Sequence, residues 1–297
     1  MKTNRAVILA QETDPWRNLA AEEALWQNLP ERGFYLFLYR NSGCVVLGRH
    51  QNPLREVRLG EAGARGIPIL RRASGGGTVW HDEGNLNFSF LVDQRDYDRH
   101  VVQDFLVRTL GRAGFQVVLG TKGDLVVPSD EGLCKVSGNA YAFRNGKVLH
   151  HGTLLCRADL ESLRGLLGST GELVAWVGTP SRPMGVANLG VDPRHAAEML
   201  AEAFEQEFGA VRRERPEEAA GVEAADWSAA VSVNCRRLSS AEWTWDSTPP
   251  FTWKGETLQG FREVRVAEGR VLDGSFPSDE GKLFFSDLFF EYLPKRV

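Results

Sequence analysis

Cysteine is scarce in this sequence. Only four of the 297 residues are cysteines, and they lie far apart, at Cys44, Cys134, Cys156 and Cys235. The spacing contains no C-x-x-C pair and no Cys/His cluster, which excludes the common zinc motifs and leaves structural thiols as the default interpretation. Because unpaired thiols suit a reducing compartment, the sequence predicts a cytoplasmic protein.

Long apolar runs and an excess of charge of one sign are also lacking. The apolar run at residues 6–10 ends in polar residues 11–14, so it is too short for a signal-peptide core and predicts a first strand. No stretch approaches the length of a transmembrane helix. With 35 basic and 39 acidic residues the formal charge is −4, and no long-range field favours nucleic acid or an anionic membrane. We therefore expect neither as a partner.

What the sequence does contain is a series of strand patterns that alternate with a few amphipathic helices. The pairs Asp14–Pro15 and Asp192–Pro193 are typical of helix starts. Apolar runs at residues 34–39 and 44–47 predict consecutive strands, and the alternation of apolar and polar residues over 86–92 predicts a half-buried strand. Because the order is not a strict βαβ repeat, the sequence predicts an α+β fold, a mixed sheet packed with helices.

The segment from Arg71 to Asp82, RRASGGGTVWHD, combines three consecutive glycines with cationic, hydroxyl and imidazole groups. Glycine permits positive φ and close backbone approach, so successive N–H groups can converge on a phosphate or carboxylate while Arg71 and Arg72 supply charge. The alternative interpretation is a solvated turn between two strands. A glycine-rich loop alone does not decide between the two.

A second group of residues surrounds Lys135. Asn145–Gly146 is the strongest hairpin signal in the chain, because both central residues of a type I′ turn need positive φ. Counting back from this turn predicts that Lys135 lies opposite Cys156. A buried lysine needs an anion, so Lys135 either reaches solvent or meets a ligand. Its predicted neighbours are small, namely Gly138, Ala140 and Gly152. Their size permits either close packing or a slot for a narrow apolar ligand.

Three ordered blocks resemble the signature of the lipoate-protein ligase A and lipoyltransferase family. They are RRASGGGTVWHDEGN at residues 71–85, KVSGNAY at 135–141 and HHGTLL at 150–155. Shorter matches lie at residues 14–23, 48–53, 181–182 and 188–189, and residues 242–251 resemble the start of the small C-terminal domain of the bacterial ligases. The resemblance covers about residues 5 to 210.

The resemblance implies a biotin/lipoate ligase-like fold and an enzyme that forms an acyl-adenylate. Lipoate and ATP would give lipoyl-AMP, and the acyl group would pass to a lysine of an acceptor domain. Mg²⁺ would accompany ATP, and octanoate is an alternative to lipoate. The implied acceptors are lipoyl domains of 2-oxoacid dehydrogenase complexes or the glycine-cleavage H protein, and a monomer is expected. Such chemistry needs electrostatic stabilisation rather than a protein nucleophile, consistent with a sequence that has no recognisable Ser-His-Asp or Cys-His arrangement.

The same resemblance assigns roles to individual residues. Lys135 is the expected catalytic residue, bridging the lipoyl carbonyl and the phosphate, and Asp124 is the best nearby carboxylate for a metal. Arg72 and Ser74 would hold the carboxyl and phosphate end. The residues expected to line the substrate and adenylate site are Arg72, Ser74, Gly75, Gly76, Gly77, Val79, His81, Asn85, Asp124, Ser137, Gly138, Ala140, His151, Gly152 and Thr153.

The resemblance also predicts a catalytic domain over residues 1–241, followed by a linker and a shortened accessory domain over residues 242–297. In the family that domain is linked to the adenylation step. An alternative function is therefore a lipoyl or octanoyl transferase that uses lipoyl-AMP or a protein-bound donor. A thioester route through Cys134 is a minor version, because neighbours in a strand point to opposite faces. A non-catalytic binder of lipoate or nucleotide is the third alternative.

Overall fold

The computed structural model describes residues 4–130, 132–213, 215–257, 260–273 and 285–288. The strands are β1 (Arg5–Leu9), β2 (Phe34–Tyr39), β3 (Cys44–Leu47), β4 (Ile69–Arg71), β5 (Val79–His81), β6 (Asn85–Asp93), β7 (Val118–Leu119), β8 (Leu125–Ser129), β9 (Gly132–Ser137), β10 (Asn139–Arg144), β11 (Lys147–Leu155), β12 (Glu172–Trp176), β13 (Val211–Arg213), β14 (Phe251–Thr257), β15 (Gly260–Ala267) and β16 (Arg270–Asp273). The helices are α1 (Pro15–Asn28), α2 (Pro53–Glu56), α3 (Leu59–Ala64), α4 (Arg99–Arg112), α5 (Leu160–Leu166), α6 (Pro193–Phe208), α7 (Pro216–Ala220), α8 (Ala224–Leu238) and α9 (Phe285–Leu288), and Glu242–Asp246 forms a π-helical turn. Within these ranges, no helix combines the length and apolar character needed to cross a bilayer.

The chain forms two compact units, of which the first carries the larger sheet. This unit contains the described residues up to Ser42 together with His81–Leu160 and Pro183–Cys235. Its main sheet has the order β10-β11-β6-β2-β1-β13. Strand β1 runs parallel to β2 and β13, whereas β6 is antiparallel to β2 and β11. A smaller sheet has the order β7-β8-β9. A mixed sheet with helices packed on it confirms the predicted α+β class.

Helices α4 and α6 cover one face of this main sheet through aromatic contacts. Phe105 of α4 and Phe204 of α6 are fully buried, with ring centroids 5.8 Å apart in an edge-to-face arrangement. Both rings contact Phe90 of β6, at 5.8 and 6.0 Å. Each fully buried ring of this kind contributes roughly 1.5–3 kcal/mol relative to exposure. The main sheet is therefore closely packed against both helices on this face.

The second unit contains Gly43–Trp80, Glu161–Arg182 and the described residues from Arg236 onward. It has a small sheet of order β4-β3-β5 and an antiparallel sheet of order β12-β14-β15-β16. Its core includes the buried side chains of Trp245, Phe251 and Trp253. Because β14 pairs with β12, residues from both sides of the predicted boundary at 241 and 242 share one sheet.

Local signals in the sequence account for both predicted helix starts. The Asp14 carboxylate accepts a hydrogen bond from the Arg17 N–H at 2.9 Å, and Asp192 accepts one from the Arg194 N–H at 2.9 Å. These are N-caps that satisfy otherwise unpaired backbone donors. The prediction of a half-buried β6 is wrong, because all nine residues of this strand are buried. Its polar side chains find partners inside the unit, as when the Ser89 hydroxyl donates to Glu22.

Candidate active site

The glycine loop, residues 72–78, connects β4 to β5 in the second unit. Gly76 has φ of 84°, a value that favours glycine. A Cβ placed on Gly48 would lie 2.2 Å from the Gly76 carbonyl oxygen, so the loop rests directly on the backbone after β3. A Cβ on Gly75 would meet nothing within 4 Å. The loop is thus packed at Gly76 and open at Gly75, as a backbone cradle for a ligand requires.

Arg72 holds the shape of this loop. Its buried guanidinium donates to the Ser74 hydroxyl at 3.0 Å and to the carbonyl oxygens of Gly75 and Gly77. A further N–H reaches the Val46 carbonyl oxygen at 3.2 Å. Arg72 and Ser74, both predicted site residues, are therefore joined to each other and to the glycines. These hydrogen bonds fix the conformation of the glycines and keep a positive charge beside them.

Gln51 ties the glycine loop to residues 179–181, although the sequence analysis did not place it in the site. Its buried carboxamide oxygen accepts hydrogen bonds from the Gly48 N–H at 2.9 Å and the Thr78 hydroxyl at 2.7 Å. Its nitrogen donates to the Thr179 carbonyl at 3.3 Å and the Ser181 hydroxyl at 3.0 Å. Ser181 Oγ also accepts from the Thr78 N–H at 2.9 Å. Gln51 lies within residues 48–53, one of the short segments that resemble the family, and this resemblance is the sequence signal that could have identified it.

Arg71, the first arginine of the loop motif, is fully buried below the loop. Its guanidinium donates to the Thr244 carbonyl at 2.8 and 3.0 Å, to the Thr248 hydroxyl at 2.9 Å and to the Gln51 carbonyl at 2.8 Å. Burial, with Arg72 and Arg49 nearby, lowers the pKa of Arg71. The expectation that Arg71 supplies charge to a ligand is therefore wrong, because its buried donors serve protein oxygens of residue 51 and of residues 244–248.

Lys135 lies on β9 in the first unit, in a register different from the predicted one. The hairpin itself is confirmed, since Asn145 and Gly146 have φ of 50° and 71° and Arg144 pairs with Lys147. However, β10 begins at Asn139 and the strand bends at Gly138, so Lys135 pairs with Val126 of β8 rather than with Cys156. The predicted register assumed one unbroken strand from Lys135 to the hairpin. The break at Gly138 instead divides it into β9, which belongs to the smaller sheet, and β10, which belongs to the main sheet.

The Lys135 ammonium forms an ion pair with Asp124. Nζ lies 3.0 Å from Asp124 Oδ2, and the two side chains are 25% and 22% exposed. The pair is partly open to solvent, so a substrate anion can approach the lysine and compete with Asp124 for it. The described residues contain no group of three or more His, Cys, Asp or Glu side chains able to hold a metal. A metal at Asp124 would therefore need most of its ligands from outside these residues.

The two glycines near Lys135, Gly138 and Gly152, differ in how much space surrounds them. A Cβ on Gly152 would lie 2.5 Å from the Gly138 carbonyl oxygen and 2.5 Å from Phe88, so Gly152 serves close packing. A Cβ on Gly138 would meet only Lys135 Cδ, at 4.0 Å. The Thr153 N–H donates to the Gly138 carbonyl at 3.1 Å, which fixes the bend of the strand. Space beside the lysine therefore lies at Gly138.

His151 belongs to a buried polar network centred on Glu22, a residue absent from the predicted site. His151 Nδ1 lies 2.9 Å from Glu22 Oε1, and the hydroxyls of Tyr39 and Ser89 donate to the same oxygen. Burial acts to raise the pKa of Glu22, but His151 and the two hydroxyls outweigh it and the pKa is lowered. The neighbouring His150 faces a different environment, in which burial, His151 and Arg99 lower its pKa to about 3.

Six buried side-chain polar atoms have no hydrogen-bond partner among the described residues, and three of the six belong to strand β6 and to the end of β9. These three are Asn85 Oδ1, Asn87 Nδ2 and Ser137 Oγ. Asn85 and Asn87 are joined through their other amide atoms at 3.0 Å. Because buried polar atoms are nearly always hydrogen-bonded, these atoms have the capacity to bind a polar ligand or water. Asn85 and Ser137 are both predicted site residues.

The structure places the predicted residues in both units. The first unit contains His81, Asn85, Asp124, Lys135, Ser137, Gly138, Ala140, His151, Gly152 and Thr153. The second contains Arg72, Ser74, Gly75, Gly76, Gly77 and Val79. In the first unit Ala140 pairs directly with His151 across β10 and β11, and the buried His81 ring lies 3.0 Å from the Asn41 amide nitrogen. Val79 is half-buried on β5.

Solved structures share this fold. LipL1 of P. falciparum in complex with lipoate superimposes with a TM-score of 0.68 at 21% identity, covering 91% of this chain and 83% of that one. A lipoate-protein ligase A bound with ATP gives 0.66 at 23% identity, covering 82% and 98%. The bi-partite lipoate protein ligase of Thermoplasma acidophilum, solved with its E2 lipoyl domain, gives 0.65 at 24% identity, covering 82% and 96%. The chain therefore has the lipoate-protein ligase fold.

Sequence comparison identifies the family. The model of the lipoyl protein ligase A/B catalytic domain matches residues 14–209. The lipoate-protein ligase A of Blochmanniella pennsylvanica (strain BPEN) is 32% identical over 260 residues, which is 84% of this chain and 75% of that protein. The chain belongs to the lipoyl protein ligase A/B family, and it is an enzyme of the lipoate-protein ligase type. The resemblance noted in the sequence is confirmed.

Proposed function

We propose that this enzyme activates lipoate with ATP and transfers the lipoyl group to a lysine of an acceptor domain. In the first step a lipoate carboxylate oxygen bonds to the α-phosphorus, and the bond from that phosphorus to the pyrophosphate group breaks. In the second step the acceptor amine bonds to the lipoyl carbonyl carbon and loses a proton to solvent, and AMP leaves with the electron pair of the broken carbon–oxygen bond. Family membership and the lipoate and ATP in the solved relatives support this proposal.

The observation that carries the proposal is the setting of Lys135. Its ammonium pairs with Asp124 at a partly exposed position, and the space at Gly138 lies next to its side chain. A cation placed there polarises a carbonyl and stabilises negative charge on a phosphate oxygen without forming a covalent bond. We assign this role to Lys135 in both steps. Asp124 then acts as a counter-ion that positions the lysine before substrate arrives.

The glycine loop has the complementary role of holding negative charge. Gly75, Gly76 and Gly77 bring backbone close to the ligand, and Arg72 with Ser74 fixes their conformation. Oriented N–H groups and a guanidinium stabilise phosphate and carboxylate oxygens without reorganising during the reaction. We propose that this loop holds the carboxyl and phosphate end of the substrate.

The remaining predicted residues are assigned to the acyl group and the nucleotide. The unpartnered atoms of Asn85 and Ser137 suit hydrogen bonds to a polar part of the adenylate. His151, fixed by Glu22, and the small residues Gly138, Ala140, Gly152 and Thr153 would border the acyl group, and Val79 and His81 would border the nucleotide. Mg²⁺ would neutralise phosphate charge, with Asp124 as one ligand.

Acceptor, location and domain organisation complete the proposal. The T. acidophilum ligase was solved with its E2 lipoyl domain, and we propose that lipoyl domains of 2-oxoacid dehydrogenase complexes, or the glycine-cleavage H protein, are the acceptors here. We also propose a cytoplasmic monomer that uses neither nucleic acid nor membrane. Residues 242–297 are proposed as a shortened accessory region following a catalytic region of residues 1–241.

Intact-mass measurement of a lipoyl domain tests this function. The domain is incubated with the enzyme, lipoate and magnesium ATP, and in parallel with the enzyme and lipoyl-AMP. We expect a lipoyl mass gain in both reactions. A mass gain only with lipoyl-AMP would contradict ATP-dependent activation and would leave the transferase alternative. The same assay with octanoate in place of lipoate measures which of the two acids the enzyme prefers. No gain in either reaction would contradict both steps.

A further inference from the structure

The counter-ion of Lys135 lies at the end of a short loop in the first unit. This loop, residues 120–124, joins β7 to β8, and its middle residues are exposed to solvent. By contrast, the main chain of Lys135 is held on both edges of its strand, by β8 on one side and by hydrogen bonds to the segment 185–187 on the other. The position of Asp124 therefore depends on what holds the loop.

Asn139, directly after the bend at Gly138, holds the end of this loop. Its Nδ2 donates to the Gly123 carbonyl oxygen at 2.8 Å, and Gln103 of α4 adds a longer contact to the same oxygen at 3.4 Å. Gly123 has φ of 83°, and a Cβ there would lie 2.2 Å from the Gln103 amide nitrogen, so only glycine permits this approach. The carbonyl oxygen belongs to the peptide group that links Gly123 to Asp124. The two amides therefore hold the backbone of Asp124 from one side.

The neighbours of Asn139 determine the orientation of its amide. A carbonyl oxygen only accepts hydrogen bonds, so the amide nitrogen faces Gly123 and Oδ1 faces His150 Nε2, at 3.3 Å. Nε2 must then carry the hydrogen, and Nδ1 accepts from the Tyr97 hydroxyl at 3.4 Å. Burial lowers the pKa of His150 to about 3, so the ring is neutral at neutral pH and has a single N–H. This chain of hydrogen bonds keeps the Asn139 amide in one orientation.

We propose that Asn139 is a positioning residue, which holds Asp124 in place and, through it, the ammonium of Lys135. This inference rests on the proposed function. The main chain of Lys135 is fixed, but its side chain is long and flexible, so the position of the ammonium depends on the anion with which it pairs. Without the hydrogen bond from Asn139, the peptide group before Asp124 could shift, and the lysine with it. Asn139 thus affects the reaction through Asp124.

A double-mutant cycle on transfer from lipoyl-AMP tests this role. Enzyme loaded with lipoyl-AMP is mixed with saturating lipoyl domain, and the single-turnover rate constant is measured for wild type, Asn139→Ala, Asp124→Asn and the double variant. Loss of folded enzyme lowers the amplitude of the reaction, whereas a misplaced lysine lowers the rate constant. Asn234→Ala is the matched control, because its buried amide also donates to a main-chain oxygen of the first unit, that of Ala20 at 3.3 Å, and joins α8 to α1.

We expect Asn139→Ala to lower the rate constant about 10- to 100-fold, since a misplacement of about 1 Å can cost about 100-fold. The amplitude should stay close to that of wild type. Asp124→Asn should lower the rate constant at least as much, and the double variant should lose no more than about twofold beyond Asp124→Asn, because both changes act through one carboxylate. Asn234→Ala should keep the wild-type rate constant.

Three results would overturn the inference: a wild-type rate constant in Asn139→Ala, losses that multiply in the double variant, or an equal loss in Asn234→Ala. If Asn139→Ala does not fold, Asn139→Asp takes its place, since it keeps the size of the side chain and the acceptor for His150 but sets an oxygen against the Gly123 carbonyl. The same loss of rate is then expected. A wild-type enzyme that transfers nothing from lipoyl-AMP would contradict the proposed function itself, and the inference with it.

Discussion

Removal of the Glu22 carboxylate should strongly destabilise the first unit. The carboxylate is 2% exposed, accepts hydrogen bonds from the hydroxyls of Tyr39 and Ser89, and contacts the ring of His151. Glu22→Ala leaves these three groups facing a cavity. Breaking a buried, hydrogen-bonded pair by removing one partner costs about 3–5 kcal/mol. This is a large share of the roughly 5–15 kcal/mol available to a folded protein.

The variant Glu22→Gln removes the charge of the side chain but keeps its shape. Glutamine keeps an acceptor oxygen for the hydroxyls but carries no charge to attract His151. Because the folded-state pKa of Glu22 is lowered below its ordinary value of 4.5, the charge stabilises the fold above that value. This contribution is lost as the pH falls through the folded pKa. Wild type should therefore lose its advantage over Glu22→Gln on acidification below about pH 4.5.

Urea denaturation at a series of pH values measures both effects. The free energy of unfolding is obtained for wild type, Glu22→Ala and Glu22→Gln between about pH 7 and pH 3, and the difference between wild type and Glu22→Gln isolates this one carboxylate. A loss below about 1 kcal/mol for Glu22→Ala would show that the network does not hold the core. A difference from Glu22→Gln that does not change with pH would refute the assigned ionisation.

Two further predictions concern the glycine loop. Gly48→Ala should lower the free energy of unfolding, because its Cβ would lie 2.2 Å from the Gly76 carbonyl oxygen. Gly75→Ala, whose Cβ meets nothing within 4 Å, is the control for stability, and equal unfolding free energies for the two variants would contradict this packing. Gln51→Leu should raise the KM for ATP several-fold by releasing Thr179 and Ser181. A steady-state KM equal to that of wild type would show that the link is not needed.

The local features of this fold can be predicted from the sequence because they depend on residues that are close together in the chain. Asp14 and Asp192 cap helices through donors two or three residues away, and Asn145–Gly146 sets its own hairpin. Burial of both faces of β6 was not predictable, since it depends on helices and strands far away in sequence. An alternating strand does not reveal that its polar side chains, such as Ser89, meet Glu22 of another element.

The limits of prediction at the candidate site have the same origin. The motif blocks named Lys135 and the glycines, but the register of Lys135 depends on the bend at Gly138 and on the pairing of β9 with β8. The roles of Arg71 and Gln51 follow from carbonyl oxygens supplied by residues 179 and 244. Such long-range contacts leave no periodicity in the sequence, so only the folded chain shows them.

The most direct test of the account is single-turnover transfer from lipoyl-AMP to a lipoyl domain by Lys135→Met. Methionine keeps most of the side-chain length but removes the charge that polarises the carbonyl. Loss of a preorganised electrostatic group typically costs about 100- to 1,000-fold in rate, and we predict a loss of this size, with an unfolding free energy close to that of wild type. A transfer rate within a few-fold of wild type would contradict the assignment of Lys135 as the catalytic residue.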